Sequence, residues 1–156
     1  MRQGDVRRFV ATGKLAMPAG QLVPFWKRIR EQFEVNALGP LMLTEQLLPN
    51  IVEGGKIALI SSRMGSIADN TSGSSYGYRM SKAALNIAGV SLAKDLEGRK
   101  IAVTILHPGY VQTDITAGRG FITADIAASG LIERVDDLTL ETSGNFWHQS
   151  GEKLPW

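Results

Sequence analysis

Tyr78 and Lys82 stand four residues apart in the stretch YGYRMSKAALN, which runs from Tyr76 to Asn86. On a helix that spacing puts both side chains on one face, within reach of a common ligand. An ammonium beside a phenol favours the phenolate, which makes a tyrosine a useful proton donor and acceptor near neutral pH. The pair alone is weak ground, because lysine is common and this spacing arises by chance on many exposed helices. Tyr76 has no such neighbour: four residues on stands Met80, which cannot tune a phenol.

Other polar groups gather around that pair once the strands are placed. Lys56 to Ser62, KIALISS, is a short apolar run after Gly54 and Gly55, and Ile101 to Gly109, IAVTILHPG, is another. Both read as buried strands. In open α/β sheets ligands bind outside the carboxyl ends of the strands. Ser61 and Ser62, the segment from His107 to Thr113, and the start of the Tyr78 helix all fall at that edge. A serine hydroxyl there could hydrogen-bond a carbonyl oxygen that Tyr78 protonates, although ordinary turn chemistry accounts for two strand-end serines equally well. Pro40 adds a less direct signal. It has no N–H for the carbonyl of Asn36, so the helix should kink and leave an acceptor for a water or a side chain. His107 and His148 are not assigned as base or metal ligand, since no carboxylate cluster with ligand spacing accompanies them.

The elements that must position these groups alternate. The spacing of Phe25, Ile29 and Phe33, continued by Ala37, Leu41 and Leu48, predicts one long helix from Pro24 to Pro49, interrupted at Gly39 and Pro40. A Ser/Gly/Asn/Thr-rich loop separates the first strand from the Tyr78 helix. That helix carries Leu85, Ala88, Leu92 and Leu96 on one stripe and is expected to stop at Gly98. A shorter helix is expected over 124–135, and NFWHQSGEKLPW supplies a last strand and tail. Helix, strand, helix, strand, helix, strand is the rhythm of a parallel α/β sheet with crossover helices. Residues 1–23 show no convincing period and read as irregular.

Composition bounds the rest. The chain has 156 residues, 44% of them hydrophobic and 21% charged, enough for one domain with a core and too few for two. A formal charge of +2 with dispersed basic residues argues against a nucleic-acid partner. The absence of cysteine excludes disulfides, thiol catalysis and zinc–thiolate sites. No apolar run spans a membrane and no signal pattern follows Met1, so the expected compartment is the cytoplasm.

Asn36 in VNALGP, Ser62 in LISSRMGS, Tyr78 and Lys82 in YGYRMSK, and the segment HPGYVQTD together resemble the catalytic half of a short-chain dehydrogenase/reductase. The likeness runs from about Phe33 to Trp156, and within the family it is strongest to the C-factor and sniffer-like carbonyl reductases. It implies a Rossmann-like doubly wound parallel sheet and NAD(P)-dependent interconversion of a small carbonyl compound and an alcohol, with NADP favoured over NAD. By the same resemblance Tyr78 is the general acid/base and Lys82 lowers its pKa and holds the nicotinamide ribose. Ser62 orients the substrate carbonyl, with Ser61 as the alternative one residue away. Asn36 holds a relay water through its main-chain carbonyl. Pro108, Gly109, Val111 and Thr113 approach the nicotinamide carboxamide.

One part of the family pattern is missing. A dinucleotide site needs a glycine-rich turn at a helix N-terminus. ATGKLAMPAG has Thr12 and Gly13, but Met17 and Ala19 stand where the later glycines belong, so it is rejected as that turn. The expectation is therefore a C-terminal half of the fold lacking its first βαβ unit, with the strand from Lys56 at an unpaired edge. The alternative is a non-catalytic module that forms a homo-oligomer or pairs with a full-length relative.

Overall fold

Helix α1 (Leu22–Phe33) begins two residues before Pro24 in a computed structural model that describes residues 22–156. The early start is cheap, because the first N–H groups of any helix lack an intrahelical acceptor and a proline there forfeits nothing. Residues 22 and 23 are thus helical rather than irregular; the rest of the N-terminal segment, including ATGKLAMPAG, lies outside the described residues. After α1 the helical path widens into a π turn, Glu34–Leu38, then resumes as α2 (Gly39–Leu47) and ends in a 3-10 turn, Leu48–Asn50. The expected interruption near Pro40 therefore takes the form of a register change. The Gly39 N–H donates to the Glu34 carbonyl, five residues back, so the ladder shifts by one before the proline is reached.

Three parallel strands follow in the spatial order β1 (Lys56–Ile60), β2 (Ala102–His107), β3 (Phe146–His148). Ile57 lies opposite Val103, Leu59 opposite Ile105, Ile105 opposite Phe146, and His107 opposite His148. Parallel pairing requires crossovers, supplied by α3 (Tyr76–Asp95) and α4 (Ala124–Asp136). The central strand is buried from Ala102 to Leu106, as its unbroken apolar run requires. Ile57, Leu59, Leu85, Ala93, Leu96 and Val103 form the main core between the sheet and α3. Gly89 makes that approach possible: a Cβ there would stand 2.6 Å from Ile105 Cγ1 and 3.0 Å from Leu59 Cδ1. The buried line of α3 consequently runs through Leu85, Gly89 and Ala93, and Ala88 and Leu92 of the expected stripe are only half-buried.

Gly98 is not the cap. α3 ends at Asp95, a 3-10 turn spans Glu97–Arg99, and Lys100 takes the left-handed conformation at φ 53°. The chain must tighten there to bring Ile101 back into the core, and the Ile101 N–H donates to the Leu96 carbonyl at 3.3 Å. At the other end the tail folds back: Leu154 N donates to the Phe146 carbonyl at 2.8 Å, and the Trp156 ring stacks on Phe146 with centroids 5.5 Å apart.

β1 closes one side of the sheet among the described residues, the edge position expected for the strand from Lys56. Its Ile57 and Leu59 are buried while Ala58 and Ile60 are exposed. Trp26, Val35, Leu38, Met42 and Leu43 are also exposed along α1, the π turn and α2. No helix among the described residues is long and apolar enough to cross a membrane.

Candidate active site

Beyond Ile60 two serines divide their work, because successive side chains of an extended segment point to opposite faces. Ser61 turns inward: its hydroxyl donates to Asn86 Oδ1 at 2.5 Å, with the two residues 3% and 4% exposed. Ser62 turns toward the sheet edge. Its Oγ accepts from the Met64 N–H at 3.2 Å, capping the 3-10 turn Arg63–Gly65. As acceptor in that bond, Ser62 retains its own proton, for which no described residue is an acceptor. Ser61 has spent its proton.

Tyr78 sits in the first turn of α3, entered through Gly73, Ser74 and Ser75 at φ 62°, 60° and 49°. Two non-glycine residues in the left-handed region cost about 1 kcal/mol each. Arg79 holds this turn, donating from Nε to the Gly73 carbonyl at 3.2 Å and from Nη2 to Ser72 Oγ at 2.9 Å. One helical turn on, Lys82 Nζ lies 5.8 Å from the centroid of the Tyr78 ring and donates to the Ile60 carbonyl at 3.0 Å. Burial lowers the Lys82 pKa from the ordinary lysine value. Asn36, on the π turn, donates from Nδ2 to Ser81 Oγ at 3.1 Å, and Ser81 donates to the Tyr78 carbonyl at 2.9 Å. The π turn is thereby tied to the backbone that carries Tyr78, through the Asn36 amide.

Ser62, Tyr78, His107, Gly109, Val111 and Thr113 line one open cleft of about 640 Å³ at the carboxyl edge of the sheet. Asn36, Lys82 and Pro108 are not on its wall. Tyr76 also stays out of it and lines a separate groove with Phe25, Ile29 and Gln32. His107 enters the wall from the end of β2, its ring 5.2 Å from that of His148, and its Nδ1 is buried without a partner. Burial, with the charges of His148 and Arg63 adding to it and Glu152 opposing, pushes the His107 pKa down to about 4. The ring is neutral at neutral pH. Among the described residues no three His, Asp or Glu side chains are grouped to hold a metal. The cleft also takes in Arg63, Arg79 and Arg119, which sequence reasoning passed over because dispersed charges read as solvated surface.

A parallel α/β sheet with Ser62 and Tyr78 gathered at its carboxyl edge puts the cleft where open α/β sheets bind ligands. Comparison narrows the class. The sequence profile of the short chain dehydrogenase family matches residues 23–120, and the chain belongs to that family. It is 47% identical over 132 residues to the 1-hydroxy-2-glutathionyl-2-methyl-3-butene dehydrogenase of a Rhodococcus species, covering 82% of this chain and 58% of that protein. It is 43% identical over 126 residues to the C-signal protein of Myxococcus xanthus, covering 80% of this chain and 76% of that one. Among solved structures it superimposes on the NADPH-bound carbonyl reductase from chicken fatty liver with a TM-score of 0.77 and 30% identity, over 83% of this chain and 57% of that one. The chain thus spans little more than half the length of several of the proteins it matches.

Proposed function

We propose that this chain carries the proton-handling site of an NAD(P)-dependent carbonyl/alcohol oxidoreductase, with NADP(H) as the cofactor. The observation that carries the reading is the disposition of hydrogen-bond capacity. Ser62 keeps a proton to donate, the Tyr78 hydroxyl has no partner among the described residues, and both face one cleft. The donors present suit the nicotinamide end of a dinucleotide. Lys82 has two further N–H groups beyond its bond to Ile60 with which to hold the ribose, and the segment Pro108, Gly109, Val111 and Thr113 would lie along the carboxamide. When bound, the nicotinamide supplies or accepts the hydride.

The chain's own residues handle the rest. Ser62 donates to the substrate carbonyl oxygen and fixes its direction. Tyr78 gives its hydroxyl proton to that oxygen during reduction and takes it back during oxidation. The Lys82 ammonium stabilises negative charge left on the phenol oxygen. Proton return runs through a water held at the Asn36 main-chain carbonyl, where the π turn displaces the helical ladder. As for the substrate, the Rhodococcus relative is named for a glutathionyl alcohol and the chicken neighbour for carbonyl reduction. The substrate class in this reading is a small carbonyl compound or alcohol.

The test is NADPH-dependent reduction of a small aldehyde by the chain, with Tyr78→Phe alongside. Turnover lost in the variant, with an unchanged melting temperature, is expected; equal turnover would falsify the assignment. A second reading, a non-catalytic module that docks on a full-length relative or a second copy, draws on the exposed apolar residues of α1 and α2. A monomer by light scattering that captures no full-length relative counts against it.

A further inference from the structure

The cleft that holds Ser62 and Tyr78 carries more positive charge than its own carboxylates answer. Arg63, Arg79 and Arg119 stand on its wall with the single carboxylate Asp69. Arg63 is paired: its Nη2 lies 2.7 Å from Glu152 Oε2 and its Nε 3.3 Å from Asp69 Oδ2. Arg79 spends its donors on the carbonyls of Gly73 and Met64 and on the Ser72 hydroxyl, so its charge meets no carboxylate among the described residues. Arg119 makes one side-chain hydrogen bond, from Nε to the Thr116 carbonyl at 3.2 Å. Both of its terminal NH2 groups are left without a described partner.

Arg119 is exposed, but the backbone that carries it is fixed. Its loop is pinned at both ends: Val111 bridges Ile122, Gln112 N donates to the Ile122 carbonyl at 2.9 Å, and Phe121 N donates to the Tyr110 carbonyl at 2.6 Å. Inside, Thr113 and Thr116 cap each other, and Thr116 Oγ1 reaches the Val111 carbonyl at 2.8 Å. Ala117 and Gly118 reverse the chain at φ 50° and 73°, so that the Arg119 N–H returns to the Thr116 carbonyl at 3.1 Å. Gly120 lies flat against the Val111–Gln112 backbone, where any Cβ would collide. The guanidinium is therefore presented to the cleft by a loop that has already met its own ordering cost.

A guanidinium with a free fork and no counter-charge recognises a carboxylate by two parallel N–H···O bonds. We propose that Arg119, with the unanswered charge of Arg79 on the same wall, anchors a carboxylate carried by the carbonyl or alcohol substrate. The preferred ligands are then acidic carbonyl compounds rather than neutral ones. The proposal rests on the cleft being the substrate site and concerns binding alone, so it stands or falls apart from turnover.

The test is calorimetric titration of the whole chain with 4-formylbenzoate and with its neutral methyl ester, repeated for Arg119→Gln, Arg119→Lys and Tyr78→Phe. The acid is expected to bind about tenfold more tightly than the ester, as charge-assisted bidentate pairing provides. Arg119→Gln should remove that preference and leave the ester unchanged, which also shows that the loop is folded. Arg119→Lys should keep part of it. Tyr78→Phe should keep the preference whether or not turnover survives. Equal affinity for acid and ester, no binding of the acid at millimolar concentration, or an Arg119→Gln loss shared equally by both ligands each overturns the proposal. So does an Arg119→Gln loss confined to NADPH affinity, which would assign the charge to a cofactor phosphate.

Discussion

Replacing Ser61 and Ser62 by alanine, one at a time, separates a residue that holds the fold from its neighbour that faces the cleft. Ser61→Ala removes a 2.5 Å O–H···O bond between two nearly inaccessible side chains. Asn86 Oδ1 then loses its donor beside an Nδ2 that already has no partner. Leaving a buried acceptor unpaired costs about 1–3 kcal/mol. At about 2–4 °C per kcal/mol for a domain of this size, the melting temperature should fall by roughly 2–12 °C. Ser62→Ala removes the cap of one short turn, an effect of about 1 kcal/mol and so roughly 2–4 °C. The two variants should separate in the opposite order in function, with aldehyde reduction lost in Ser62→Ala and retained at permissive temperature in Ser61→Ala. Urea unfolding curves and turnover measured on the same preparations read both effects. A Ser61→Ala protein that melts with the wild type but is inactive, beside an active Ser62→Ala protein, would refute the division of roles.

Three further outcomes are expected. Gly89→Val drives a branched side chain into Ile105 and Leu59 and should cost about 1–3 kcal/mol in urea unfolding, visible as a lower midpoint with an unchanged slope. Ser74→Gly relieves a left-handed serine at φ 60° and should stabilise by about 1 kcal/mol; a lower melting temperature would show that the serine side chain contributes more than the strain removes. His107 has a folded pKa of about 4 against an ordinary 6.5, so the unfolded chain binds its proton first. The contribution to stability is fully present above about pH 6.5 and lost as pH falls toward 4. His107→Phe should flatten that acid limb, and an unaltered limb in the variant would place its origin elsewhere.

The parallel sheet and the order of its elements were legible because strands buried on both faces leave apolar runs in the chain, as β2 does from Ala102 to Leu106. Tyr78, Lys82 and Ser62 were legible as family motifs, and the cleft brings Ser62 and Tyr78 together. Between Ser61 and Ser62 only the direction of each hydroxyl could choose, and that depends on Asn86, twenty-five residues away. Gly98 misled as a helix stop because helix ends answer to tertiary demand: burying Ile101 set the turn, and Lys100 took the strained conformation. Arg119 carried no signal at all in the sequence. Its place on the cleft wall depends on a loop whose hydrogen bonds cannot be read from residue types.

The edge of β1 that has no partner strand among the described residues is linked to the Tyr78–Lys82 pair, and a planar peptide unit shows how. The Ser61 N–H points to β2, where it donates to the Leu106 carbonyl at 2.7 Å. In a trans peptide the preceding C=O points the opposite way, so the Ile60 carbonyl faces the edge that has no partner strand among the described residues. It is this carbonyl that Lys82 Nζ occupies at 3.0 Å. A strand added along β1 would present an N–H to the same oxygen and compete with the ammonium for it. Lys82 would then have three N–H groups for a ligand beside Tyr78 instead of two. Any strand that paired with β1 would therefore also set how much of Lys82 is available to the site. Acetic anhydride labelling of Lys82 reads the exchange. Its rate should change when the chain binds a complementing half of the fold, and a rate unchanged on binding would break the link.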